Sequence, residues 1–178
     1  MPSVTAILRD EQVTIVRTLE ATEDLAQRIE GGESVRAEDL AEMTGCLCRV
    51  AERGHLDREE AVLFPRLEQK GLSREEGPIG IMLAQHRQAH ELLDLMESAA
   101  LDYGRGSPAA AARWAQLARI YMAMLRFQIE IENKVLFLMA DSMLSPAEQA
   151  ELAAALSPPE PRKRAPASAA AEPFQWIG

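Results

Sequence analysis

Seven side chains with nitrogen or oxygen donors lie where helices can bring them together around a metal ion. They are Gln12, His55, Glu59, His86, His90, Gln128 and Glu132. Six of them form three pairs spaced four residues apart, and residues at that spacing share one face of a helix. Inward imidazoles and carboxylates from facing helices are how bundles build carboxylate-bridged iron or manganese sites. The spacing therefore predicts a metal site of one or two ions inside a helical bundle.

The residues around these pairs indicate which way the pairs face. Gln128 and Glu132 continue an apolar stripe that includes Tyr121 and Leu125, and the histidines continue similar stripes. An unpaired polar group inside a bundle costs several kcal/mol, so their joint presence predicts a ligand. Two alternatives stay open: the glutamates face solvent beside other acidic residues, and Tyr121 is either a donor to a bound ligand or a core tyrosine.

The rest of the sequence predicts the helices that would position these groups. Ala, Leu, Glu, Arg and Met dominate the chain and strand signals are scarce, so it reads as all-α. Apolar periodicity and Gly, Pro and Ser boundaries predict five helices, over 5–30, 37–71, 77–104, 107–143 and 145–156. Pro65 predicts a kink or break within the second helix. We expect residues 1–156 to form an antiparallel up-down four-helix bundle with a short fifth helix.

Residues 157–178 differ from the rest of the chain in composition. Pro, Ala, Ser and a short basic run fill this segment until an apolar cluster, Phe174-Gln175-Trp176-Ile177. Such a composition is typical of a linker, whereas an apolar cluster is unusual in a free tail. The sequence leaves two possibilities: the cluster docks in a hydrophobic groove of this chain or of a protein partner, or the tail is free.

Charge and cysteine content limit the class of protein. Lys and Arg number 19 and Asp and Glu 28, which gives a net charge of −9 and argues against a nucleic-acid partner. No apolar run reaches the ~20 residues of a membrane span, and the first residues lack the pattern of a signal peptide. Cys46 and Cys48 point to different sides of a helix and are not placed to bridge. We expect a cytoplasmic protein without a membrane or nucleic-acid partner.

Four segments carry a distinctive order of motifs. Residues 8–15, 54–65, 77–86 and 121–137 read LRDEQVTI, GHLDREEAVLFP, GPIGIMLAQH and YMAMLRFQIEIENKVLF. In order, spacing and the LFP and VLF endings, they resemble the hemerythrin-like proteins of the bacterial HHE cation-binding family. The resemblance covers about residues 7–143 and implies a four-helix bundle with a non-haem dinuclear site.

The resemblance also implies roles for the candidate ligands. His86 and His90 would hold one metal, His55 the other, and Glu59 and Glu132 would supply bridging carboxylates. The sequence departs from the family where Gln12, Gln128 and Leu56 stand in place of histidines. A glutamine carbonyl is a weaker and harder ligand than imidazole, which favours Mn²⁺ or Fe²⁺ and argues against reversible O₂ carriage. The site is then either retuned or reduced to one ion.

Two functions of different classes follow. The first is a protein with iron or manganese, in a dinuclear or single-ion site, that binds, senses or reacts with O₂, NO or peroxide. The second is a metal-poor regulatory bundle that binds a partner. No nucleophile with an adjacent base, glycine-rich phosphate loop or redox CxxC motif is visible in the sequence.

Overall fold

A computed structural model describes residues 2–156 of the chain, so the predicted tail, 157–178, lies outside the described residues. The helices in chain order are α1 (Val4–Glu30), α2 (Ala37–Leu47), π1 (Cys48–Leu56), π2 (Glu59–Leu63), α3 (Phe64–Gln69), α4 (Gly77–Gly104), α5 (Ala109–Ile131), π3 (Glu132–Leu136), α6 (Phe137–Met143) and α7 (Pro146–Leu156). The described residues contain no strand, which confirms the all-α prediction.

Four long rods make up the bundle, because two of them combine α and π segments. The second rod runs from α2 through π1, π2 and α3, and the fourth from α5 through π3 and α6. Helix α1 packs against α5 and π1, α2 packs against α4, and α4 packs against α5. Each rod thus contacts the next along the chain and the last contacts the first. This closed arrangement confirms the predicted four-helix bundle.

Local signals explain where helices begin. Ser3 precedes α1, and its Oγ accepts a hydrogen bond from the Ala6 amide at 3.1 Å. Ser145 precedes α7 and forms a capping box with Glu148: the Glu148 carboxylate accepts from the Ser145 amide, and Ser145 Oγ accepts from the Glu148 amide. The predicted fifth helix therefore begins as expected.

The second rod does not break at Pro65, contrary to one form of the prediction. Pro65 lies in the first turn of α3, directly after π2, so its missing N–H falls at the junction between the π and the α segment. The chain reaches it through π1 and π2, whose i→i+5 hydrogen bonds widen the helix. The irregularity thus precedes the proline and, as described below, falls on the candidate metal ligands.

Two apolar clusters fill the bundle on either side of a polar layer. One surrounds Trp114 and includes Leu19 and Leu47, and the other surrounds Phe64 and Phe137. The short α7 covers the second cluster, and Arg58 donates hydrogen bonds to Glu11 of α1 and to the Leu156 carbonyl at the end of α7. The polar layer is therefore enclosed by apolar side chains at both ends.

Two smaller expectations concern membranes and cysteines. Within residues 2–156, no helix combines the length and apolar character that crossing a bilayer requires. Cys46 and Cys48 are both free thiols, as their spacing predicts.

Candidate metal centre

The polar layer coincides with the three π segments. π1 carries His55, π2 begins with Glu59, and π3 begins with Glu132, while His86 lies in the regular helix α4. π turns occur most often at functional sites, because the wider turn re-aims side chains at the expense of regular hydrogen bonding. All four side chains are at most 1% exposed. The irregular turns thus bring ionisable groups into the interior.

The inner cluster has Glu59 between two imidazoles. His55 Nε2 lies 3.3 Å from Glu132 Oε2 and 3.9 Å from Glu59 Oε1. On the other side of the same carboxylate, His86 Nε2 lies 3.5 Å from Glu59 Oε2. One ligand atom from each of His55, Glu59 and Glu132 lies within 4.8 Å of the others. The distances are those of groups that can share a cation.

Each imidazole contacts a carboxylate through the ring nitrogen that faces away from the inner cluster. His55 Nδ1 lies 3.0 Å from Glu11 Oε2, and His86 Nδ1 lies 2.7 Å from Glu60 Oε1. A carboxylate on one ring nitrogen fixes the ring orientation and leaves the other nitrogen to bind metal. The sequence analysis did not assign Glu11 or Glu60 this role. The signal available was acidic residues next to a predicted ligand.

Both glutamines that replace family histidines contact Glu132. Gln12 Nε2 donates to Glu132 Oε2 at 2.6 Å, and Gln128 Nε2 donates to Glu132 Oε1 at 2.7 Å. Both glutamines are buried. The structure therefore brings six predicted residues into one interior cluster: Gln12, His55, Glu59, His86, Gln128 and Glu132. In that cluster, neither Glu59 nor Glu132 faces solvent, so that alternative is wrong.

The seventh residue, His90, is not in this cluster. Its side chain is 42% exposed, and its Nδ1 lies 2.7 Å from Glu52 Oε2. Its Nε2 is 4.0 Å from Asp57 Oδ1. His90 lies at the margin of the buried face of α4, whose residues Ala89 and Leu93 are buried on either side of it, so the two histidines differ in exposure. A ligand role for His90 stays a prediction, without support from its position.

Several buried atoms with free lone pairs have no hydrogen-bond partner among residues 2–156. At the inner cluster these atoms are both carboxylate oxygens of Glu59, His86 Nε2 and Gln128 Oε1. Leaving such groups unsatisfied costs about 1–3 kcal/mol each. A divalent cation is the partner that oxygen and imidazole lone pairs share, so the residues fit a metal ion of the iron or manganese type.

Burial and neighbouring charges act differently on the two carboxylates of the cluster. Burial raises the pKa of the Glu59 carboxyl, and the nearby charge of Glu132 raises it further. Burial acts on Glu132 in the same direction, but hydrogen bonds from His55, Gln128 and Gln12 outweigh it and lower the pKa of Glu132. One carboxylate is thus stabilised as an anion, and its neighbour is not.

The histidines respond to these carboxylates. Burial alone would lower the pKa of His55, but the charge of Glu59 and the contacts with Glu11 and Glu132 raise the pKa to about 10. Burial likewise opposes protonation of His86, and its carboxylate neighbours raise its pKa above the ordinary value. Protons on the imidazoles therefore balance part of the buried negative charge, and a cation would replace them.

Tyr121 lies in the apolar cluster around Trp114. It is fully buried, and its hydroxyl has no hydrogen-bond partner within the described part of the chain. Burial, followed by the charges of Glu52 and Cys48, raises its pKa well above the ordinary value. The charges that act on this hydroxyl are therefore those of Glu52 and Cys48, and neither Glu59 nor Glu132 is among them.

Comparison with known proteins identifies the family of the chain. The profile of the hemerythrin HHE cation binding domain matches residues 3–140, which is more than half of the chain. The chain belongs to this family. The predicted resemblance is thus confirmed.

A curated relative also matches this HHE domain over a short segment. It is the iron-sulfur cluster repair protein YtfE of Edwardsiella ictaluri (strain 93-146), 48% identical over 42 residues. The match spans 24% of this chain and 19% of the relative. No solved structure matches the chain.

Proposed function

We propose that this HHE domain binds a carboxylate-bridged pair of iron or manganese ions and uses them to bind, sense or react with a small oxidant. The observation that carries the proposal is Glu59, whose two unpaired oxygens face one imidazole each. A carboxylate so placed can bridge two ions. His55 and Glu132 would complete the ligand set on one side, and His86 on the other, with glutamine amides nearby.

The chain itself supplies burial, orientation and charge balance. Glu11 and Glu60 hold the two imidazoles so that each Nε2 points inward. The apolar clusters on both sides keep bulk water away from the layer, which admits small uncharged ligands more readily than ions. When bound, iron or manganese would supply affinity for O₂, NO or peroxide and the capacity for electron transfer.

The choice of iron as the first metal to test rests on the relative. Its name concerns repair of iron-sulfur clusters, which are iron-containing assemblies. Manganese fits the ligands of this cluster as well as iron does, because oxygen donors outnumber the imidazoles. Cytoplasmic location remains part of the proposal, since iron-sulfur repair and free thiols both suit a reducing compartment.

The experiment is anaerobic reconstitution of the full chain with Fe²⁺ or Mn²⁺, followed by desalting and metal analysis. We expect about two equivalents per chain and a change in the optical spectrum on addition of O₂, NO or hydrogen peroxide. The matched control is His86→Ala, which removes one inward imidazole and should retain at most one equivalent. Retention of no metal by the parent chain would contradict the proposal.

One observation favours a second function, that of a metal-poor regulatory bundle. Glu132 accepts a hydrogen bond on each oxygen from Gln12 and Gln128, so this carboxylate is satisfied without a cation. A bundle with that arrangement can persist without metal and present its surface to a partner protein. Binding of no metal during reconstitution, with a cooperative unfolding transition, would select this function.

A further inference from the structure

Gln12 and Gln128 contact the same carboxylate but are held in different ways. Gln12 Oε1 accepts a hydrogen bond from Asn133 Nδ2 at 2.7 Å, whereas Gln128 Oε1 has no partner within residues 2–156. An amide turned by 180° exchanges its oxygen and nitrogen, so what fixes each amide decides which atom faces the site. Asn133 is therefore the residue that distinguishes the two glutamines.

The orientation of Asn133 follows from groups that can act in only one sense. Its Nδ2 lies 2.9 Å from the Ile129 carbonyl oxygen, which can only accept, and its Oδ1 lies 3.3 Å from Arg9 Nε, which can only donate. The nitrogen of Asn133 must therefore be the atom that also faces Gln12. It follows that Gln12 presents its oxygen to Asn133 and its nitrogen to Glu132.

We propose that Asn133 makes Gln12 a positioning residue for Glu132, not a metal ligand, and leaves Gln128 as the glutamine whose carbonyl oxygen is free to turn to a cation. This inference rests on the proposed function for the role of Glu132 as a ligand. An amide nitrogen carries protons and donates, so it cannot bind a cation while it faces the carboxylate. The two glutamines that replace histidines thus have different roles.

The test reverses the polarity of this network with Asn133→Asp. An aspartate at this position only accepts, so the Gln12 nitrogen turns to it and the Gln12 oxygen turns to the site. The added charge could itself attract a cation, and for that reason the substitution is made in the parent chain and in Gln12→Leu. Any effect of charge alone is then common to both backgrounds.

The first measurement is Mn²⁺ affinity and the water-proton relaxivity of the Mn²⁺ complex. We expect Asn133→Asp to tighten Mn²⁺ binding about tenfold more in the parent than in Gln12→Leu, on the scale of outer-shell effects on metal sites. The relaxivity should fall only in the parent background, because a new oxygen ligand displaces a bound water. Equal changes in both backgrounds would overturn the role of Asn133.

The second measurement uses the same four proteins without metal. A Gln12 oxygen turned to the Glu132 carboxylate is repulsive, so Asn133→Asp should lower the urea midpoint more in the parent than in Gln12→Leu. Equal shifts would overturn the inference. This comparison does not require metal, so a parent chain that binds no Mn²⁺ would contradict the proposed function while the role of Asn133 is still decided. Asn133→Leu frees the Gln12 amide to turn without adding charge. Its Mn²⁺ affinity and its urea midpoint should lie between those of the parent and those of Asn133→Asp.

Discussion

Two regions of the bundle interior, built by the same four rods, follow opposite rules. They are the apolar half around Trp114 and the polar half around Glu59. Around Trp114, Leu19 and Leu47 are fully buried, and the indole Nε1 donates to Thr44 Oγ1 at 2.9 Å. In the polar layer, Glu59 is equally buried and neither of its oxygens has a hydrogen-bond partner among the described residues. The Tyr121 hydroxyl in the first half is also unpaired, but the polar layer leaves four atoms without a partner among the described residues: both Glu59 oxygens, His86 Nε2 and Gln128 Oε1.

This difference separates the source of stability from the source of function. Apolar burial stabilises a fold by about 25 cal/mol per Å² of surface removed from water. A buried polar group without a partner destabilises it by about 1–3 kcal/mol, and a charged carboxylate by more. The half around Trp114 therefore stabilises the chain, and under the proposed function the polar layer is tolerated because a cation would complete it.

The largest effect is expected from damage to the half around Trp114. Leu19→Ala removes fully buried methyl groups and should lower the free energy of unfolding by about 3 kcal/mol, as typical core truncations do. Chemical denaturation measures the loss, and metal content should not change. The neighbouring exposed Glu20→Ala is the control and should alter stability by less than about 0.5 kcal/mol. Equal losses in both variants would remove the distinction between the halves.

The next largest effect concerns two histidines of one helix. His86→Ala removes a buried inward imidazole and should weaken metal binding by at least about 100-fold, the upper end of the range for loss of a residue that only supports a ligand. His90→Ala removes a half-exposed ring held by Glu52 and should change affinity by less than about threefold. Isothermal titration with Mn²⁺ compares them. An equal loss in His90→Ala would restore its predicted role as a ligand.

A third effect is the pH dependence of the metal-free protein. The folded-state pKa of His55 is raised from 6.5 to about 10, so its proton stabilises the fold fully below pH 6.5. That contribution is lost progressively as the pH rises toward 10. From pH 6.5 to 8.5 we expect a loss of roughly 2 kcal/mol, at most 1.36 kcal/mol for each pH unit.

Urea denaturation at pH 6.5, 7.5 and 8.5 measures this slope, and His55→Gln is the control that should flatten it. Cation binding needs the neutral imidazole, so Mn²⁺ affinity should rise over the same interval. The raised pKa values of His86 and Glu59 act in the same direction, whereas the lowered pKa of Glu132 matters only below pH 4.5. Parallel slopes for parent and His55→Gln would show that other groups titrate instead.

Sequence patterns predicted the helices and most of the cluster because both depend on local regularities. Helix boundaries follow from signals such as the Ser145–Glu148 capping box, and i, i+4 spacing indicated His55 with Glu59. The π turns were missed because they obey no simple residue pattern, yet they determine where side chains point. His90 lies outside the inner cluster for a related reason: periodicity gives a helix face, but how much of that face is covered depends on neighbouring helices.

The residues behind the ligands were missed for a different reason. In a chain with 28 acidic residues, Glu11, Glu52 and Glu60 look like the many others that face solvent. Their contacts join residues 26 to 44 positions apart along the chain, as between His86 and Glu60 or His55 and Glu11. Only the packing of one rod on another distinguishes such a glutamate from its neighbours.

The smallest effect, and the one of opposite sign, is expected at Glu59. Two buried carboxylates, Glu59 and Glu132, repel each other when no cation lies between them, which is one reason why the pKa of Glu59 is raised. Glu59→Gln removes this charge without changing the volume and should raise the unfolding free energy of the metal-free protein by about 1 kcal/mol. The same change removes the carboxylate proposed to bridge the ions and should abolish binding of the metal pair.

Glu130→Gln, at an exposed residue paired with Lys134, is the control and should affect neither property. Denaturation with and without Mn²⁺ measures both effects in one series. A variant that loses stability without metal would mean that Glu59 serves the fold, and the contrast between the two halves of the bundle would not hold at this residue.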